Sequence, residues 1–267
     1  MKKISNKEVK MIQIDILKHV SKFCEDNDIK YFLSGGTLLG AVRHKGYIPW
    51  DDDIDIMLLR KDYDKFIKLF NVNSNKYKVF SNDTDKLYPF PFAKVSDLNT
   101  LLKENTNIKY PLGINIDVFP LDILPDNEYE SIKFYRKVKV LKKIYILKSL
   151  KFKKDRTFIK KAIQCFAYIV LKPISVESIV KKICKISIKY NMKDSRYIGC
   201  VVWGYGMKER MNKGVFNETI KVEFEGDMYN APIGYDEYLR SLYGDYMKLP
   251  SVEKRQTHHE YEAFLIN

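Results

Sequence analysis

The chain lacks the features that covalent or metal staples require. Its four cysteines, Cys24, Cys165, Cys184 and Cys200, show no Cys-x-x-Cys pairing. A disulfide framework and a zinc cluster of that spacing are therefore excluded, and the thiols read as buried or incidental ones in a reducing compartment. Long apolar runs are also missing. The longest uncharged one, near 162–171, reaches about half of what a bilayer crossing needs, so no membrane span is expected. Lys7, Glu8, Lys10 and Asp15 interrupt the start of the chain and leave no apolar segment for a signal peptide. No internal repeat or low-complexity tract is present. Acid is in short supply overall, with 34 Asp or Glu against 47 Lys or Arg and a net charge of +13. A hydrophobic content of 45% with 13% aromatics still describes a globular chain, and 267 residues suffice for one sizeable core with an added subdomain.

The scarce acid is concentrated where it is informative. A glycine turn, Ser34-Gly35-Gly36-Thr37, opens a short helix over Leu38 to Val42 and is followed by Trp50-Asp51-Asp52-Asp53-Ile54-Asp55-Ile56. Alternation is the period of a strand, so Asp53 and Asp55 share one face and Ile54 and Ile56 the other, with Asp51 on the side of Asp53 and Asp52 opposite. Carboxylates side by side repel unless a cation lies between them. Oxygen donors of this kind suit Mg²⁺ or Mn²⁺, and a glycine turn nearby suits phosphate, so metal-assisted attack on phosphorus is the expected chemistry. A solvated acidic loop would not need Ile54, Ile56, Met57, Leu58 and Leu59 threaded through it. Asp51, Asp53, Asp55 and Asp62 fit an EF-hand frame, yet the position that must be a turning glycine is Ile56. A Walker A loop is excluded because no Gly-Lys-Ser/Thr follows.

A second acidic strand lies in Gly113-Ile114-Asn115-Ile116-Asp117-Val118-Phe119-Pro120-Leu121-Asp122. Ile114, Ile116 and Val118 alternate, which places Asp117 on the opposite face as the partner of Asp53 and Asp55. Asp122, after the proline, reads as a turn aspartate. Lys94, between Ala93 and Val95, reads equally as a phosphate contact or as the charged guard of an edge strand.

These runs, from Phe32 to Ile56 and from Leu112 to Asp122, resemble the signature of the LicD family, phosphotransferases similar to the fukutin-related proteins. The resemblance extends to Tyr88–Thr100 and to parts of 200–260, including Tyr243-Gly244-Asp245-Tyr246, and leaves the middle of the chain unexplained. It implies an α+β fold, a nucleotidyltransferase-like mixed sheet flanked by helices with a helical insert. It also implies transfer of phosphocholine, or a similar phospho-alcohol such as phosphoribitol, from a CDP-alcohol such as CDP-choline to a hydroxyl of a cell-surface glycan or its lipid-linked precursor, with release of CMP. The site it implies has Asp53, Asp55 and Asp117 as catalytic and metal-holding groups, with Asp51 as a further ligand. Gly35, Gly36 and Thr37 would bind phosphate through backbone N–H groups, helped by Arg43, His44 and Lys94. Trp50 reads as a stacking surface or as core, and His258 and His259 as structural or acceptor-side residues. The alternatives are a nucleotidyltransferase moving NMP from an NTP to a small molecule, and a silent membrane-surface binding protein. The intact acidic set argues against silence.

Three segments are expected: a catalytic core over 1–125, a basic helical insert over 126–195, and a C-terminal segment over 196–267 that packs back and completes the site. Ser5 and Glu8 match a capping box for a first helix over 6–26, followed by a strand over 29–33, a helix over 61–70 and strands near 77–81, 91–96 and 113–119. Within 131–190, 18 Lys or Arg stand against Asp155 and Glu177, a net +16, so everything else sums to −3. Phe134, Val138, Leu141, Ile144 and Tyr145, then Phe158, Ala162, Phe166, Ile169 and Val170, add apolar stripes. Such helices lie on anionic membrane surfaces or form a subdomain with a solvated face. Without an RRM, KH or zinc-finger signature, nucleic acid is not an expected partner. The expected location is the cytoplasm, at the inner face of the membrane if the acceptor is lipid-linked.

Overall fold

The computed structural model of the protein describes residues 1–72, 75–150, 170–255, 257 and 261–266. After a short strand β1 (Lys2–Lys3), helix α1 (Asn6–Asp26) starts where the capping box places it. Ser5 Oγ accepts the Glu8 N–H at 3.3 Å, and Glu8 accepts the Ser5 N–H at 2.7 Å. Val9, Ile16, Leu17, Val20 and Cys24 recur at helical spacing and are buried on one side, each apolar side chain contributing about 1.5–3 kcal/mol.

Strand β2 (Tyr31–Leu33), helix α2 (Gly35–His44), strand β3 (Asp55–Leu59), helix α3 (Arg60–Phe70), strands β4 (Tyr77–Phe80), β5 (Ala93–Asp97), β6 (Thr100–Glu104) and β7 (Asn115–Leu124) follow. Helices α4 (Glu128–Ser149) and α5 (Val176–Ser187) come next, then β8 (Tyr197–Cys200), β9 (Met211–Asn212), β10 (Thr219–Phe224), β11 (Asp227–Pro232), α6 (Tyr235–Tyr243) and β12 (Tyr261–Leu265). The result is the expected α+β class. The main sheet runs β2-β3-β7-β5-β4, with β3 and β7 parallel and the other pairs antiparallel. Helix α1 packs on β5 and β7, and α3 on β3 and β7.

Strand β7 is the spine. Its first half pairs with β5 through residues 115–118 and its second half with β8 through 121–124. Pro120, which has no N–H to donate, sits where one partner gives way to the other. This corrects the reading of Asp122. It is not in a turn but inside β7, fully buried, held by Arg60 through two contacts of 2.8 Å and by Asn191 Nδ2 at 2.7 Å.

Two further corrections concern element limits. The acidic strand begins at Asp55, and 51–54 precede it outside the ladder, because Asp51 N closes a turn on Ile48 O at 2.8 Å. The helix expected at Leu38 already starts at Gly35.

The hairpin β10–β11 turns on Glu225 and Gly226, both at positive φ (51° and 84°), which matches the twist of the strands they join. Its tip holds the loop leading to the acidic run: Glu225 N–H donates to Lys45 O and Glu225 Oε1 accepts the Tyr47 N–H, each at 2.9 Å. A Cβ at Gly46 would fall 2.3 Å from that carboxylate oxygen, so a larger residue there would displace the Glu225 carboxylate from the loop.

In the basic segment, Phe134, Val138 and Tyr145 of α4 are buried and Leu141 and Ile144 half-buried, while Lys133, Arg136, Lys137, Lys139 and Lys143 are exposed. Lys181, Lys182 and Lys185 of α5 are exposed as well. Val170, from the second apolar stripe, is exposed, and Phe158, Ala162, Phe166 and Ile169 lie outside the described residues. Among the described residues no helix is long and apolar enough to cross a membrane. Cys24 and Cys200 are buried free thiols and Cys184 is a half-buried one, while Cys165 lies outside the described residues.

Candidate active site

Register assembles the acids. Across the parallel pair β3–β7, Asp55 stands opposite Asp117, and across β5–β7, Lys94 stands opposite the same Asp117. Ile54, Ile56, Ile116 and Val118 are buried on the other side, as alternation requires. The turn before α2 locks onto β3: Ser34 N–H donates to Asp55 O at 2.9 Å, and Asp55 N–H donates to Thr37 Oγ1 at 2.8 Å.

The two glycines make room for carboxylates. Gly35 has φ +49°, and a Cβ there would sit 3.3 Å from Asp55 Oδ2; a Cβ on Gly36 would sit 2.5 Å from Asp51 Oδ2. The Gly35 N–H already donates to the Tyr238 hydroxyl at 3.4 Å, so it is committed to the protein rather than held open for phosphate.

Three carboxylates, Asp51, Asp52 and Asp53, bring ligand oxygens within 4.8 Å of one another. Asp52, expected on the opposite side, is buried and joins them because the segment is not yet a strand. Burial first, then Asp53 and Asp52, push the Asp51 carboxyl up to about 7. Burial, Asp53, Asp117 and Asp51 push Asp55 well above the carboxylate range. Lys94 is buried in an interior strand, not an edge strand. It ion-pairs with Asp117 and donates to Asn115 Oδ1 at 3.1 Å. Burial, the largest single influence, would lower its pKa, and Asp117, Glu104 and Asp55 together outweigh that and raise it. The oxygens that lie together are those of Asp51, Asp52 and Asp53, with Asp55 and Asp117 facing each other across β3 and β7 and Lys94 paired with Asp117; carboxylate oxygens of this kind are what a hard dication such as Mg²⁺ or Mn²⁺ takes.

Two clefts meet at these acids. One, of about 570 Å³, is lined by Asp51, Asp53 and Asp55 with Gly36, Arg43 and Trp50, and by Tyr243, Tyr246 and Lys248 from the far end of the chain. The other, of about 420 Å³, reaches Asp53, Asp55 and Asp117 and is lined by Phe119, Trp203, Tyr205 and Glu209. Arg43 is partly committed: Nη1 donates to Tyr246 O at 2.6 Å and Nε to His44 Nε2 at 2.9 Å. His44 meets the Trp50 ring edge-on at 6.4 Å, which makes Trp50 both a core-packed side chain and a cleft wall. His258 and His259 lie outside the described residues.

The walls from Trp203, Tyr205, Glu209 and Tyr238 escaped sequence reasoning. They obey no local spacing and reach the acids only through the β7–β8 pairing and the packing of α6. Tyr243 and Tyr246 fall in a run whose resemblance to the family was the available signal.

A family model described as "LicD/FKTN/FKRP, nucleotidyltransferase domain" matches residues 28–173, which extends the likeness into the basic segment. The chain is similar to the lipopolysaccharide cholinephosphotransferase LicD of Haemophilus influenzae, with 34% identity over 273 residues covering 100% of both chains. It is 40% identical over 122 residues to the uncharacterised protein RP689 of Rickettsia prowazekii, 45% of each chain. A shorter stretch of 45 residues is 42% identical to the ribitol 5-phosphate transferase FKRP of Homo sapiens, covering 17% of this chain and 9% of that one.

Proposed function

Since the chain belongs to the LicD/FKTN/FKRP family of nucleotidyltransferase domains and is a transferase, we propose that it moves phosphocholine, or a related phospho-alcohol, from a CDP-alcohol to a hydroxyl of a glycan. The observation that carries this reading is the convergence of Asp51, Asp53, Asp55 and Asp117 at the meeting of two clefts, one for each half of a diphosphate compound. Asp51, Asp53, Asp55 and Asp117 would hold a Mg²⁺ ion, which when bound neutralises charge on the diphosphate and on the leaving phosphate.

The chain's own residues do the rest. Lys94 pairs with Asp117 and fixes its carboxylate on β7. Thr37 ties the glycine turn to Asp55, so that the close approach of α2 to the acids is maintained. Lys248 and the remaining donors of Arg43 place positive charge in the larger cleft, where the nucleotide phosphate would lie. The acceptor oxygen bonds to the phosphorus bearing the alcohol, the bond to the CMP oxygen breaks, and the acceptor's proton passes to a carboxylate of the cluster.

Incubation with Mg²⁺ and a panel of CDP-alcohols and NTPs tests this directly. CMP should appear and pyrophosphate should not; pyrophosphate alone would install the nucleotidyltransferase alternative. CDP-choline or CDP-ribitol at a hundred times its dissociation constant should stabilise the fold by about 2.7 kcal/mol, more than ATP or UDP-sugars do. Equal thermal shifts with ATP would remove the cytidine preference.

The exposed lysines of α4 and α5 would hold the enzyme on an anionic leaflet carrying a lipid-linked acceptor, each adding up to ~1 kcal/mol near that surface. Sedimentation with anionic vesicles should be strong at low salt and fade as the screening length shortens to about 8 Å. Equal, weak sedimentation with neutral and anionic vesicles would leave these lysines as a solvated face.

A further inference from the structure

Both clefts carry aromatic side chains and Tyr205 lines both, but the smaller one also holds a buried carboxylate from outside the acidic cluster. Its rings are Phe119 from β7, Trp203 and Tyr205 from the loop after β8, and Tyr238 from α6, set beside Lys142 and the acids Asp53, Asp55 and Asp117. Into it faces Glu209, only 4% exposed. Its Oε1 accepts the Tyr205 N–H at 3.2 Å, whereas Oε2 is buried without any hydrogen-bond partner. The loop passes tightly over this side chain and the end of β8, since a Cβ on Gly204 would fall 2.5 Å from Cys200 O and 2.8 Å from Oε1. A buried carboxylate oxygen left without a donor costs stability, so its retention asks for a ligand.

Lys142, which also lines the cleft, draws on the Glu209 charge but gives Oε2 no hydrogen bond. Its Nζ is spent on Trp203 O at 2.7 Å and Gly204 O at 3.1 Å. It lies 4.7 Å from the Trp203 ring centroid, so this wall already accepts a cation on one ring face. A polyol would need a hydrogen-bond partner for each hydroxyl, which the faces of Phe119 and Trp203 do not supply on their side of the cleft. A trimethylammonium has no N–H to donate. It is recognised by aromatic faces and by a nearby negative charge, which is what this cleft offers.

We propose that the cleft walled by Phe119, Trp203, Tyr205 and Tyr238 receives the donor's headgroup as a quaternary ammonium, with Glu209 as its counter-charge. This rests on the CDP-alcohol reading above and goes further by selecting choline over ribitol. Burial pushes the Glu209 carboxyl up to about 7, and a bound cation would draw it back toward the charged form.

The experiment titrates the full chain, with Trp fluorescence and calorimetry as readouts. The probes are choline, its neutral carbon isostere with a tert-butyl group in place of the trimethylammonium, CMP and CDP-choline. Choline should bind about ten-fold more tightly than the isostere, and Glu209→Gln should remove that preference while leaving CMP affinity unchanged and the melting temperature no lower. Tyr205→Leu, at a position 59% exposed and therefore safe for folding, should weaken choline in the same way. Equal binding of choline and isostere, or an unchanged preference in Glu209→Gln, overturns the proposal. If choline binds through Glu209 but CDP-choline is no tighter than choline alone, the cleft stands as a quaternary ammonium site and the cytidine donor falls.

Discussion

Asp55→Asn will lower turnover by about a thousand-fold or more, corresponding to roughly 4 kcal/mol of lost transition-state stabilisation, and will raise the melting temperature of the metal-free protein. The two effects have one cause. Asp55 is surrounded by Asp51, Asp53 and Asp117, and burial with their charge pushes its pKa up. An acid whose folded-state pKa lies above its unfolded value, about 3.9 for aspartate, destabilises the fold progressively as pH rises from the unfolded value through the folded one. Asparagine keeps the size and removes the charge, so the advantage of the variant over the parent should grow as pH rises. Asp51, raised to about 7, places part of the parent's loss between about pH 4 and pH 7. Adding Mg²⁺ should close the gap by stabilising only the parent. Melting curves across pH with and without Mg²⁺, beside turnover, check all of this. A variant that melts like the parent at every pH and keeps near-normal turnover would take Asp55 out of the site.

The converse is expected at the other end of the same strands. Asp122→Ala will cost about 3–5 kcal/mol of stability, while the activity of each folded molecule stays within a few-fold of the parent. Asp122 is fully buried and clamps Arg60 through two contacts of 2.8 Å, and the Arg60 side chain is only 19% exposed, so the truncation leaves the guanidinium only the 3.5 Å contact with exposed Asp64. Along β7, Asp122 is five residues from Asp117, roughly 16 Å at strand rise, so the damage lies far from the acids. Urea unfolding and turnover corrected for the folded fraction measure the two parts separately. Replacing both partners, Arg60→Met with Asp122→Leu, should recover much of the loss. Lost turnover with a normal unfolding midpoint would instead make Asp122 part of the chemistry.

The contrast between these aspartates shows what could be read in advance. Alternation of isoleucine with aspartate told sidedness correctly for Asp55 and Asp117, because side chains alternate in any extended chain whether or not its ladder has begun. The same rule misplaced Asp52, since it presumes a regular strand from Asp51 onward, and the turn closed by Ile48 O breaks that regularity. Asp122 followed a proline, the usual mark of a turn, and only the change of partner at Pro120 lets a strand continue through it. Lys94 could not be resolved locally because edge or interior is a property of sheet order, which depends on which distant strand pairs with which. Glu209 and Trp203 were invisible for a similar reason: neither has a meaningful spacing to the acids, and both arrive by way of β8.

That dependence on β8 has a consequence in time. The second half of β7 is synthesised well before the strand that will cover its open side, an interval on the order of ten seconds at ribosomal rates. Through it, Leu121, Ile123 and Leu124 form an uncapped apolar edge of the kind that captures strands from neighbouring chains. Asp122 stands in the middle of that edge. Arg60, already synthesised, can neutralise it within the chain, whereas an intruding strand would have to bury it without that partner. Formed that early, the ion pair that secures the finished sheet would also guard the unfinished one against its neighbours on the polysome.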